Sequence, residues 1–202
     1  MKCDVILAGV GGQGVLSVSA IIASSAMKEG LNVKQSEVHG MSQRGGAVYT
    51  NLRLSDAEIH SDLIPRGSAS LILSMEPLES LRYLDYLKED GYVITSADPE
   101  INIPDYPDIE GLLQVIRAVP HSVTVDAHRL AIQAGSGRAT NMVLAGAASH
   151  YLPLKVETME QAIRELFARK GEKVVETNLK AFRLGREHGA ARNLESGNRD
   201  SR

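Results

Sequence analysis

The sequence predicts an α/β protein: a Rossmann-like, doubly wound sheet with some antiparallel pairing and a helical C-terminal part. Three observations predict it. An apolar run, DVILAG (4–9), ends in glycines and passes at once into a helical stretch rich in small residues. A second strand pattern, NVKQSEV (32–38), leads to a third, AVYTNLRLS (47–55), through glycines and with no helix between them. From residue 125 onward the apolar spacing is helical.

DVILAG is short, continuous and apolar, which suits a strand buried on both faces of a parallel sheet. GVGGQG (9–14) turns the chain, and VLSVSAIIASSAMKEG (15–30) reads as a helix closed by Gly30. Its serines and alanines allow a close backbone approach to the sheet or to another subunit. The strand at 32–38 sets Val33, Gln35 and Glu37 against Lys34 and Ser36. Its glycine-rich exit toward 47–55 implies antiparallel pairing at that point. SASLILSM (68–75) is the next buried strand. PLESLRYLDYLKED (77–90) places Leu78, Leu81, Leu84 and Leu87 on one helical face, GYVITS (91–96) returns to strand, and DPEINIPDYPD (98–108) is a proline-rich loop. LLQVIRAVP (112–120) is expected to contain a strand. Helices follow at 125–135 and 138–152, then at 158–171 with Thr158 as N-cap and Gln161 at capping-box spacing, and at 172–185 ending at Gly185. The expected organisation is one domain over 1–186 and a polar, aperiodic, disordered tail over 187–202.

Composition narrows the function. In 202 residues, 43% are hydrophobic and 23% charged, enough for a real core. A net charge of −3 gives no electrostatic case for nucleic acid or an anionic membrane. With no Trp and two Phe, a base-stacking surface is not expected either. Cys3 is the only cysteine, so an internal disulfide, a four-cysteine zinc site and the thiolates of an iron–sulfur cluster are all beyond this chain. No run reaches the roughly 18 apolar residues of a membrane span. Asp4 and the glycine loop behind it do not suit a signal peptide, so a cytoplasmic location is expected.

Gly9-Val10-Gly11-Gly12-Gln13-Gly14 satisfies G-x-G-x-x-G between a strand and a helix. Glycines there permit positive φ and close approach, and a helix N-terminus offers free N–H groups to a phosphate, pyrophosphate or carboxylate. A dinucleotide site also wants an acid near the end of the second strand, and Glu37 has the spacing. The helix that should follow it is missing, so a freestanding nucleotide-binding protein is the weaker reading, and the alternative is a tight turn that lets the helix pack closely. His60, His121, His128, His150 and His188 are scattered without ligand spacing, and no nucleophile elbow or Walker lysine is present. No catalytic residue is identified, and the chain is not expected to catalyse a reaction alone. EVHGMSQRGG (37–46) is the other unusual segment, packing Glu37, His39, Met41, Ser42, Gln43 and Arg44 among glycines.

GVGGQGVLS (9–17) together with SEVHGMSQRGGAVYTNLRL (36–54) resembles the gamma-type subunit of 2-oxoacid:ferredoxin oxidoreductases, closest to the small subunit of the indolepyruvate type. NMVLAGAAS (141–149) and NLKAFRLG (178–185) are similar to the family's C-terminal helices. The resemblance implies an enzyme that oxidatively decarboxylates a 2-oxoacid to an acyl-CoA and passes electrons to ferredoxin. It implies that thiamine diphosphate and the iron–sulfur clusters sit on a large partner subunit, that CoA is co-substrate, and that this chain alone binds no cofactor. Under it, Gly9, Gly11, Gly12, Gln13 and Gly14 would meet an anion such as CoA. Arg44 would add a charged fork, Met41 and Ser42 would pack beside it with Gln43, and Glu37 would orient Arg44 or His39. Contact with the partner subunit, a purely structural lock and a non-catalytic assembly module stay open. So do pyruvate or another 2-oxoacid as substrate, and a homodimer through the small-residue helices.

Overall fold

A computed structural model describes residues 1–40 and 45–196, without the side chains of His39 and of residues 190–196. Its centre is a six-stranded sheet of order β2-β3-β1-β4-β5-β6. The strands are β1 (Lys2–Val10), β2 (Asn32–His39), β3 (Ala47–Ser55), β4 (Ala69–Ser74), β5 (Leu87–Ser96) and β6 (Ser122–Val125). β1, β4, β5 and β6 are parallel, and β3 is antiparallel to both of its neighbours. The Rossmann-like class with antiparallel pairing is therefore the observed one. β1 is buried along nearly its whole length, as its uninterrupted apolar run requires.

One face of the sheet carries α1 (Val15–Lys28), α4 (Ala127–Ala134), α5 (Thr140–Ala148), α6 (Val156–Phe167) and α7 (Glu172–Ser196). Val5, Leu7, Leu52, Leu71, Leu73 and Ile94 meet these helices in one continuous core. The opposite face is thinner. There Ile6, Ile72 and Val93 pack on Ile64, Tyr83 and Leu84, and α2 (Pro77–Leu81) and α3 (Ile109–Ala118) form a small cluster of their own. Near the sheet's other end, Arg53 lies opposite Asp4 and donates to both its carboxylate oxygens, at 2.8 and 3.0 Å. Its remaining nitrogen donates to the Ser61 and Leu63 carbonyls, fastening the connection from β3 to β4. Both partners are buried, so the pair is held by fully satisfied geometry.

Four sequence expectations are corrected here. The stretch 77–90 is not one helix, because its leucines divide between two surfaces. Leu78 and Leu81 pack beside α3, while Leu84 and Leu87 lie under the sheet and Leu87 already pairs with Ala69 in β5. The expected strand at 112–120 is α3: Leu112, Leu113 and Ile116 have helical spacing, and Asp108 caps the helix by accepting from Gly111 N–H at 2.9 Å. A short apolar run does not separate the two states by periodicity. Thr158 is inside α6, which begins at Val156, and Gln161 donates to Glu165 at 3.0 Å in place of a capping contact.

The last correction concerns Gly185, which does not end its helix. α7 runs on to Ser196, through ten residues of the expected tail (187–196), while 197–202 lie outside the described residues. Gly185 is needed for approach. A methyl group there would fall on the Val143 carbonyl of α5, and one on Gly146 would fall on the Phe182 carbonyl of α7. Gly185→Ala should therefore cost about 3 kcal/mol or more, the upper end of overpacking penalties. Chemical denaturation would measure it, and wild-type stability would show that the helices can separate freely.

Candidate functional site at the carboxyl end of the sheet

β2 is antiparallel to β3, which is antiparallel to β1, so β2 ends on the same side of the sheet as β1. The carboxyl ends of all five codirectional strands thus share one end of the molecule. The loop leaving β1 is closed by Gln13. Its Oε1 accepts Val10 N–H at 2.9 Å, and its own N–H donates to the Val10 carbonyl at 3.1 Å. Gly12 and Gly14 have φ of 105° and 84°, a region that favours glycine. Gly9 allows the loop to fold down, since a methyl there would crowd Gln13 Oε1 and Val15 at 2.9 Å. Gly14 begins α1, and Asn141 of α5 donates to its carbonyl at 3.4 Å.

The two glycine segments meet directly. Gly11 N–H donates to the Gly46 carbonyl at 2.8 Å, and Gly45 N–H donates to the Gly11 carbonyl at 3.4 Å. Gly11 and Gln13 N–H groups are therefore engaged inside the protein. In the first turn of α1, the Val15 and Leu16 N–H groups have no intrahelical carbonyl within reach and are donors suited to an anion. Glu37 is exposed and accepts from Gln35 Nε2, while Gln35 Oε1 accepts from Ser19 of α1 at 2.8 Å. Met41, Ser42, Gln43 and Arg44, and the His39 side chain, lie outside the described residues. Glu37 stands two strands from the glycine loop, because β3 intervenes. That is roughly 10 Å across the sheet, twice the spacing to the adjacent strand where a ribose-binding acid belongs.

Sequence reading passed over Glu76, which organises the rest of this end. It follows β4, is almost fully buried, and caps α2 by accepting Glu79 N–H at 2.8 Å. Its other oxygen accepts from the Tyr106 hydroxyl and from Glu100 N–H at 3.4 Å, tying down the 98–108 segment. Asn102 in that segment donates to the Gly45 carbonyl at 2.5 Å. The available signal was Glu76-Pro77, an acid directly before a proline that starts a helix. Burial, and then the bond to Glu76, hold the Tyr106 phenol well above its usual range.

These residues do not fit a thiamine diphosphate or cluster site. The buried and half-buried acids at this end already have protein partners: Glu76 as described, Asp98 in Ser96 Oγ at 3.0 Å and His128 N–H at 2.8 Å, Asp126 in Arg129 at 2.7 Å, and Glu79 through one oxygen in Arg82 at 2.9 Å. No group of three or more His, Cys, Asp or Glu is placed to hold a metal among the described residues. Burial, then the Asp4 charge, pushes the Cys3 thiol up to about 11, the wrong direction for a thiolate ligand. No described helix is long and apolar enough to cross a membrane.

This α/β fold is shared with solved oxidoreductase structures. The gamma subunit of a keto/oxoacid ferredoxin oxidoreductase from Geobacter sulfurreducens matches 94% of this chain and 99% of its own, with a TM-score of 0.68 at 23% identity. The 2-oxoglutarate:ferredoxin oxidoreductase of Magnetococcus marinus matches with a TM-score of 0.75 at 21% identity, and this chain spans only 31% of that longer one. The family model for pyruvate ferredoxin/flavodoxin oxidoreductase covers residues 4–188, and the chain belongs to that family. Among its relatives, the indolepyruvate oxidoreductase subunit IorB of Archaeoglobus fulgidus is 39% identical over 92% of this chain and 94% of its own.

Two measurements probe this end. Tyr106→Phe removes a hydrogen bond to a buried carboxylate, worth about 1.5–3 kcal/mol, so Tm should fall by several degrees and proteolysis should open the 98–108 segment first. Unchanged Tm and protection would mean the bond carries no load. Glu79 is buried with one oxygen lacking a partner, and that burial raises its carboxyl above the usual range, with Arg82 opposing. A raised folded pKa makes the ionised form a cost that appears as pH rises past the carboxylate range and vanishes in acid. Glu79→Gln should thus raise Tm at pH 7.5 and lose that advantage at pH 4. An equal gain at both would exclude the charge as the cause.

Proposed function

We propose that this chain is the small, non-cluster subunit of a thiamine-diphosphate-dependent 2-oxoacid ferredoxin oxidoreductase acting on indolepyruvate or another aryl 2-oxoacid. The observation that carries the reading is the end-to-end relationship to a subunit of an indolepyruvate oxidoreductase. The reaction would convert a 2-oxoacid and CoA to an acyl-CoA and carbon dioxide, delivering two electrons to ferredoxin. The larger partner chain would carry the clusters and the thiamine diphosphate, which supplies the carbanion-stabilising chemistry of decarboxylation. One buried cysteine and two engaged acids support a binding and positioning role for this chain.

Within that role the free N–H groups at the start of α1 meet an anionic group such as the CoA diphosphate. The bonds between Gly11 and Gly45 and Gly46 hold those two glycines beside that helix start. Arg44 supplies a charged fork to the same anion, with Met41, Ser42 and Gln43 packed beside it and Glu37 or His39 setting its orientation.

Co-expression with a cofactor-bearing chain of the proposed complex tests the assignment. Viologen reduction by indolepyruvate plus CoA should require both chains, and activity independent of this chain would end the reading. Ranking against pyruvate and 2-oxoglutarate decides the substrate. Arg44→Ala should lower turnover of the complex by about tenfold or more, as expected for losing a charge-assisted contact, while this chain stays folded. Wild-type turnover would remove Arg44 from the site.

A further inference from the structure

The 98–108 segment combines two properties that rarely occur together in a free-standing protein. It is tightly anchored. Asp98 accepts from Ser96 and from His128 N–H, Glu100 and Tyr106 donate to Glu76, Asn102 reaches Gly45, and Asp108 caps α3. Yet this anchored strap holds Ile101 66% and Ile103 40% exposed. Val38 and Leu16, also exposed, lie at the same end of the sheet, near the end of strand β2 and in the first turn of α1. Exposed isoleucines on a mobile loop need no explanation. Isoleucines presented to water by a backbone whose ordering cost has already been met are the arrangement of a preorganised contact surface.

The charge around them specifies the partner. From Asp98 to Asp108 the chain carries Asp98, Glu100, Asp105 and Asp108 and no lysine or arginine, and all of these acids except half-buried Asp98 are exposed, while Glu110 beyond them is paired with Arg117 at 3.0 Å. We infer that this strap is the docking element for the cofactor-bearing chain, and that it enters an apolar depression rimmed by lysine and arginine. The inference rests on the assignment above. In the Magnetococcus marinus enzyme the matching part is 31% of a longer chain, so there this fold stands beside further polypeptide. The strap adjoins the glycine segments through Asn102, so a partner seated on Ile101 and Ile103 would also border the start of α1.

The test uses the full chain and the co-expressed cofactor-bearing chain. Ile101→Asp combined with Ile103→Asp should change Tm little, because Ile101 is mostly and Ile103 partly in water, and should weaken association at least about tenfold, as for loss of apolar interface anchors. Wild-type association should weaken as salt rises, since acidic and basic rims are screened. Ile132→Asp with Leu166→Asp, exposed on α4 and α6, should bind like wild type. Undiminished binding by the strap variant, or equal loss in the α4/α6 variant, overturns the strap proposal alone. Strap substitutions that dissolve a homodimer and spare the complex overturn it in favour of a second copy. A wild-type chain that neither binds the larger chain nor supports 2-oxoacid-dependent reduction overturns the assignment and the docking element together.

Discussion

Because β3 runs antiparallel between β1 and β2, with Val10 opposite Ala47 and His39 opposite Val48, the chain leaving β2 must return past the loop leaving β1. That return joins Gly11 to Gly46 and Gly45, beside the start of α1. It also displaces Glu37 by one strand from the place where a ribose would need an acid. A single strand insertion thus converts a dinucleotide fingerprint into a junction between two glycine segments. The glycines serve that junction through positive φ at Gly12 and Gly14 and through the close approach of Gly9 to Met75 and Val15.

The polar chemistry near this junction serves architecture. Glu76 is spent on a helix cap and on Tyr106, and Asp98 on Ser96 and the start of α4. Behind them the helical layer is packed so closely that α5 and α7 touch through Gly146 and Gly185. Such a body anchors the loop after β1 and the 98–108 segment while contributing few reactive groups. This suits a subunit that positions a ligand or a partner chain, with the redox chemistry carried elsewhere in the proposed complex.

Legibility in the sequence followed the locality of the signal. The glycine loop, the strand at 47–55 and the helices from residue 125 could be read from short windows, since each depends on its own periodicity and punctuation. The 77–90 stretch could not, because Leu84 and Leu87 look helical until the sheet's underside claims them. Gly185 read as a stop, since a helix-ending glycine and a helix-crossing glycine differ only in what lies across from them. Glu76 and the strap were invisible as a unit, as the carboxylate and the Tyr106 hydroxyl are 30 residues apart.

The sequence by itself determined the fold class, the glycine turn before α1, the lack of cluster-forming cysteines and the pairing of two motifs that marks the family. Those rest on residue type and short-range spacing, which survive without coordinates. Tertiary structure decided which N–H groups of the loop remain free, which acids are already engaged, and that an exposed isoleucine pair is held still. Each depends on segments distant in the chain meeting at one end of a sheet, and strand order sets that meeting.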